Sequence, residues 1–184
     1  MQTNISKTNY LFDSIFEPTR NSSSTFLINN NKEISYMDFH IMINQLANVL
    51  IKKGMRVGDR VAVQAEKSNT QIALYAATIK AGGVYLPLNT GYTSNELDYF
   101  IKDSSAKIVI VDTNVENLIS KNLDANTVLL TLSSDETGSL TALADKQETF
   151  FDTVERGPDD LAAILYTSGT TGKSKGAILS HQNL

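Results

Sequence analysis

The sequence predicts an α/β fold with a mainly parallel, doubly wound sheet layer. Short apolar runs of strand length recur at 60–65, 84–88, 107–111, 127–132 and 161–166. Stretches of helical period lie between most of them, and strands alternating with helices at this spacing are the sequence form of βαβ units. The chain has 184 residues, 41% hydrophobic and 20% charged, enough to bury one core in one domain and too apolar for global disorder. No internal repeat is present.

Residues 1–9 are polar and expected to fray. Leu11, Phe12, Ile15 and Phe16 are spaced as a short amphipathic helix within Tyr10 to Phe16. Pro18 and Asn21-Ser22-Ser23-Ser24 mark a loop. Thr25 to Ile28 and Glu33 to Ser35 flank an asparagine-rich turn and read as a β-hairpin. Ser35 is a helix N-cap with Asp38 three residues on. Tyr36, Phe39, Ile43, Leu46, Ala47 and Leu50 then form one apolar stripe on a helix that Gly54 closes. His40 falls off that stripe and reads as a solvated residue.

Arg60 to Ala65 reads as a strand, Asn69 to Ala81 as a helix ended by Gly82-Gly83, and Val84 to Leu88 as a strand whose end Pro87 places near an edge or a turn. Thr93-Ser94-Asn95-Glu96 has capping-box spacing and opens a helix through Leu97, Phe100 and Ile101. Lys107 to Val111 is a strand, Val115 to Ile119 a short helix and Thr127 to Leu132 a further strand. Residues 133–139 and 149–160 are polar. The second reads as a linker, with Asp159 and Asp160 as solvated residues leading into the next strand rather than metal ligands.

The chemistry concentrates at the end of the chain. Leu161 to Tyr166 is an apolar run suited to a buried strand, and Thr167-Ser168-Gly169-Thr170-Thr171-Gly172-Lys173-Ser174-Lys175-Gly176 follows with no apolar side chain. Its three glycines allow tight turns and close approach to a ligand. Its hydroxyls, backbone N–H groups and lysines supply the donors that hold a polyphosphate. Gly, Ser and Thr also make ordinary surface turns. Here, however, the loop is clamped between an apolar strand and a second one at Ala177-Ile178-Leu179, so we expect strand, a loop from Thr167 to Lys175, then strand. A Walker P-loop is excluded: it needs a glycine at 166 or 167, where Tyr166 and Thr167 stand, and a helix after the loop.

The run Tyr166 to Gly172 with Lys175-Gly176 resembles the phosphate-loop signature of the acyl-adenylate-forming (AMP-binding) superfamily, which holds acyl-CoA synthetases, peptide-synthetase adenylation domains and luciferases. Ser174 stands where the common form has proline, as in the malonyl-CoA synthetase branch. Lys80-Ala81-Gly82-Gly83-Val84-Tyr85-Leu86-Pro87-Leu88-Asn89-Thr90 resembles the superfamily's upstream motif. With Gly91-Tyr92-Thr93 and Glu96 to Phe100 it is again similar to that branch. The resemblance covers the chain from about Tyr36 onward.

It implies that residues 1–184 are the first part of the large N-terminal domain of an ATP-dependent acid–thiol ligase, an incomplete subdomain without the downstream subdomains and C-terminal domain. It implies Thr167, Ser168, Gly169, Thr170, Thr171 and Gly172 as the cradle for the β- and γ-phosphates of ATP, Lys175 as the catalytic cationic anchor, and Lys173 in a weaker role, a solvated loop lysine being an equal reading. Mg2+ and the co-substrate CoA belong to the full enzyme, the magnesium ligand lying outside this chain. The acid would be a small carboxylate, malonate favoured. His181 matches a frequent family position and receives no chemistry. Such a front part is expected to be inactive alone and to self-associate through surfaces that later parts would cover. The alternatives are a non-catalytic α/β module, or a fragment of another acyl-CoA synthetase or adenylation domain.

The net charge of −4 argues against nucleic acid as a partner. The absence of cysteine removes disulfides, thiolate nucleophiles and cysteine metal sites, and His40 and His181 are too far apart in sequence to suggest a cluster. No apolar run has the length of a membrane span and the N-terminus lacks the apolar centre of a signal peptide, so a cytoplasmic location is expected.

Overall fold

The computed structural model of the chain describes residues 8–29, 32–167 and 174–184. Leu11 and Phe12 face inward along the short helix α1 (Tyr10–Ile15). Asn9 caps it: its side-chain oxygen accepts from Phe12 N at 3.1 Å, satisfying one of the donors that a helix start leaves unpaired. The Asn9 amide also donates to Ile79 O at 2.9 Å and to Val154 O at 3.0 Å. The antiparallel hairpin of β1 (Thr25–Asn29) and β2 (Lys32–Ser35) leads into α2 (Tyr36–Lys52), capped by Ser35.

The short apolar runs between residues 60 and 131 give β3 (Arg60–Gln64), β4 (Val84–Pro87), β5 (Ile108–Val111) and β6 (Val128–Thr131), separated by α3 (Asn69–Lys80), α4 (Ser94–Ser104) and α5 (Thr113–Ile119). α6 (Ser139–Ala144), β7 (Leu161–Thr167) and β8 (Lys175–Ser180) complete the order. Among the described residues the main sheet runs β6-β5-β3-β4-β7-β8. All neighbours are parallel except β7 and β8, which pair antiparallel. Val61 sits between Tyr85 and Ile108, so the central register places Val61 and Val63 on one face and Ala62 on the other.

Both faces are covered, as a mainly parallel sheet requires. On the first, Val61, Val63, Tyr85, Ile108 and Ile110 pack against Phe12 of α1, Ile43 and Leu50 of α2, Leu74 and Ile79 of α3, and Leu140 of α6. On the second, Ala62, Leu86, Val109 and Val111 pack against Leu97, Phe100 and Ile101 of α4 and Ile119 of α5. In β7 the register slips between Leu161 and Ala163, two residues advancing against one of β8. That bulge breaks the strict alternation, so Ala162 joins the first core while Ile164 and Tyr166 join the second.

Four local expectations change. His40 is 6% exposed, not solvated: its Nε2–H donates to Phe16 O at 3.0 Å, and burial lowers its pKa. Pro87 ends a strand that lies inside the sheet, so it marks a turn and not an edge. Part of the polar stretch after β6 opens a helix, α6, where Ser139 and Thr131 exchange hydrogen bonds through N–H and hydroxyl groups. Gly138 precedes it with φ 146°, and a Cβ there would lie 2.3 Å from Thr131 O. The segment 149–160 is no loose linker. Val154 N donates to Lys80 O at 2.9 Å, Arg156 N to Thr8 O at 2.9 Å, and Tyr10 N to Arg156 O at 2.9 Å.

Candidate functional site

The five parallel strands point their carboxyl ends the same way. In open α/β sheets ligands bind outside those ends. β7 ends there at Thr167 and β8 returns from Lys175, so the two stems of the Gly/Ser/Thr/Lys segment stand at that rim. Beside it, the loop after β4 is held by Gln64, whose Nε2 donates to Asn89 O at 2.9 Å and Tyr92 O at 3.2 Å.

Of the sequence-predicted site residues, Ser168, Gly169, Thr170, Thr171, Gly172 and Lys173 lie outside the described residues. Thr167 and Lys175 are described, and they are not loop residues. They are direct partners in the β7–β8 ladder, closing it after Tyr166 and Gly176. The boundaries move because strand extent follows backbone pairing, which polar side chains do not prevent. Direct partners in an antiparallel pair project to the same face with Cβ atoms about 5 Å apart. One hydroxyl and one ammonium therefore stand side by side, both exposed, at the mouth of the segment.

The two stems are tied to α4. The Tyr99 hydroxyl donates to Ser174 O at 3.1 Å, next to Lys175. The Tyr166 hydroxyl, next to Thr167, donates to Asp103 Oδ2 at 2.5 Å. Burial and then the Asp103 carboxylate raise the Tyr166 pKa, so its proton stays in that bond. The Tyr166 ring packs on Phe100 with centroids 4.5 Å apart and lies 6.4 Å from Tyr99. Gly176 faces Tyr166 across the ladder. A Cβ there would come within 2.9 Å of Ile164 Cγ2 and 3.5 Å of the Tyr166 ring, so the close approach requires glycine. Tyr99 and Asp103 escaped the sequence reading. Their four-residue helical spacing was visible, but nothing in the sequence says which face of α4 meets the hairpin.

His181 stands past the other end of β8, about 20 Å of strand from Lys175. It is buried, its Nδ1 accepts from Leu11 N at 3.4 Å, and burial followed by Arg156 lowers its pKa. Asp160 caps its own turn: Oδ2 accepts from Gly157 N at 2.7 Å and Oδ1 pairs with Arg156 Nη2 at 3.3 Å. Among the described residues no group of three or more His, Asp or Glu is placed to hold a metal ion. No helix among them is long and apolar enough to cross a membrane.

Residues 17–184 match the family described as AMP-binding enzyme. The chain belongs to this family. Among curated relatives, tyrocidine synthase 1 of Brevibacillus parabrevis is 33% identical over 154 residues, 84% of this chain and 13% of that protein. Among solved structures, apo MatB from Rhodopseudomonas palustris is 45% identical with a TM-score of 0.91, over 96% of this chain and 35% of that one. An ATP-bound form of the same protein is 46% identical with a TM-score of 0.89, over 97% of this chain and 36% of that one. The chain thus spans about a third of MatB's length and about an eighth of tyrocidine synthase 1.

Proposed function

We propose that residues 1–184 form the ATP-phosphate-binding front of the N-terminal domain of an ATP-dependent acid–thiol ligase. One observation carries this reading: an antiparallel hairpin at the carboxyl rim of a parallel sheet places Thr167 and Lys175 as facing partners at the mouth of a Gly/Ser/Thr/Lys segment. Hydroxyls, a cation and close-approach glycines suit a triphosphate. Likeness to the ATP-bound MatB structure supports the same ligand.

In that reaction a substrate carboxylate oxygen attacks the α-phosphorus of ATP. The bond to the bridging oxygen breaks and pyrophosphate leaves. The thiol of CoA then attacks the acyl carbon, AMP leaves and the thiol proton is released. The role of this chain lies in the first half. Negative charge grows on the departing pyrophosphate, and donors fixed before the reaction stabilise it with little reorganisation. Thr167 and the segment 168–172 would contact the β- and γ-phosphates, Lys175 would face the growing charge, and Lys173 would add a weaker contact. A Mg2+ ion would neutralise the phosphates. By the family resemblance its ligand residue would lie outside residues 1–184.

Malonate is the favoured acid, because the blocks at 80–90 and 91–100 resemble the malonyl-CoA synthetase branch. Amino-acid adenylation is the second reading, favoured by the 33% identity to tyrocidine synthase 1. The 45% identity to MatB supports the CoA-ligase reading over it.

Isothermal titration of this chain with ATP and with inorganic tripolyphosphate tests the site. Both bind weakly, since an exposed loop meets a well-hydrated polyanion in high dielectric, and Lys175→Ala weakens both. In a longer chain that forms adenylate, Lys175→Ala slows malonate-dependent pyrophosphate exchange by a factor on the order of 10²–10³. Unchanged binding and exchange in Lys175→Ala would remove Lys175 from the site. Residues 1–184 alone release negligible AMP from ATP, malonate and CoA. They also self-associate through β8, an end strand of the sheet with Ile178 62% exposed. Stoichiometric AMP release, or a monomer by sedimentation at high concentration, would contradict those two statements.

A further inference from the structure

We infer that Tyr99 and Asp103 of α4 are positioning residues for the phosphate segment, which they hold by its two stems. The inference rests on the triphosphate-site reading above.

The segment is bracketed by Thr167 and Ser174. On the leading stem, Tyr166 is gripped at both ends of its side chain. Its ring lies against Phe100 at 4.5 Å and its hydroxyl donates to Asp103 at 2.5 Å. On the trailing stem, the Tyr99 hydroxyl donates to the backbone carbonyl of Ser174 at 3.1 Å. Tyr99 and Asp103 are four residues apart, one turn of α4, so a single helix face reaches both strands. The same helix is fixed independently of the hairpin. Thr93 and Glu96 form a full capping box at its start, and Leu97, Phe100 and Ile101 are buried in the second core. A rigid helix thereby helps set the separation of two strand ends whose last described ladder pair is Thr167–Lys175.

This matters for ligand binding because donors on a loop bind or stabilise charge in proportion to how well they are held beforehand. Removing the Tyr99 hydroxyl leaves the hairpin paired and the core intact, but frees the Ser174 carbonyl to rotate. Removing the Asp103 carboxylate unlatches Tyr166 at its tip. Both residues act through the stems they hold, so both are positioning residues.

The test uses the present chain and the variants Tyr99→Phe, Asp103→Ala and Asp103→Asn. Titration with tripolyphosphate gives affinity. Amide hydrogen exchange at Thr167, Ser174 and Lys175 reports the stems whether or not ligand binds. A control, Ile119→Val, trims one methyl of α5 in the same buried core, removes no hydrogen-bonding group and lowers stability only. We expect Tyr99→Phe and Asp103→Ala each to weaken tripolyphosphate binding about 3- to 10-fold and to speed stem exchange by a similar factor. Asp103→Asn keeps an acceptor oxygen and recovers most of both effects. If the wild type binds and the variants bind and exchange like it, the positioning role is wrong. If the wild type does not bind but the variants still speed stem exchange, the clamp stands and the triphosphate reading fails. If Ile119→Val reproduces both effects, they reflect general stability and the inference is overturned.

Discussion

The centre of the sheet and its β7–β8 end are built to different standards. Every residue of β5 is buried, and so are Val61 to Gln64 of β3, with helices on both faces. In the hairpin Leu165 is 41% and Ile178 62% exposed, and residues 175–178 all face solvent. The centre is held by apolar burial, which is strong and without direction. The hairpin is held by its ladder, one glycine-permitted approach and two hydroxyl hydrogen bonds with α4, one donated by Tyr99 and one accepted by Asp103, which are weaker and directional. Stability resides in the first region. In the second, geometry depends on a few named contacts, so single substitutions there should alter local order more than global stability.

The largest test of this contrast is a pair of truncations. Ile110→Ala, in the fully buried centre, should cost about 3–4 kcal/mol in urea unfolding. Leu165→Ala should cost less, about 1 kcal/mol, since two-fifths of its surface is in water already. Similar losses at the two positions would end the distinction.

A smaller effect probes the hairpin itself. Gly176→Ala forces a Cβ to within 2.9 Å of Ile164 Cγ2, a branched side chain with little freedom to move. About 1–3 kcal/mol should be lost. Ile164→Ala in the same molecule removes the opposing methyl, so the double variant should be more stable than the sum of the singles predicts. Strict additivity would show that the close approach does not matter.

The smallest effect is a pH dependence that spans both regions. Burial lowers the pKa of His40, beneath the centre, and of His181, past the end of β8. Below about pH 6.5 the unfolded chain takes up protons at both positions that the folded chain refuses. Stability therefore falls as pH drops from about 6.5 toward the lowered folded values, and is flat above. Melting temperatures at pH 5.5 and 7.5 measure it. His40→Gln keeps a donor for Phe16 O and should shrink the difference, whereas an unchanged profile would locate the proton uptake elsewhere.

Much of the fold was legible because its signals are local. The Ser35 cap, the Thr93–Glu96 capping box and the β-branched runs of β3 and β5 each declare their element within a few residues. What was missed depends on distant partners. His40 looked solvated because its acceptor, Phe16 O, lies 24 residues away on another helix's end. The segment 149–160 looked like a linker because it is held by its own backbone groups, through the backbone of Lys80 and Thr8 and the side-chain amides of Asn9, Asn44 and Asn48, which leaves no pattern in its own side chains. At the site, composition marked the hydroxyls and lysines. It could not show that Thr167 and Lys175 close a ladder, or that one turn of α4 would reach both stems.

The buried Asn9 amide has a consequence for how the chain is made. It joins the first helix to Ile79 and to Val154, the latter 145 residues downstream. Closing so long a circuit adds little to the equilibrium cost, which grows only with the logarithm of length. Timing is another matter, because ribosomes add roughly 5–20 residues per second. Helix α1 emerges 145 residues ahead of one of the groups that seat it, waiting roughly 7 to 30 seconds for Val154 to follow it out. Through that interval the apolar side of Leu11 and Phe12 is without its final neighbours, and a chaperone that shields short apolar helices would find its substrate there.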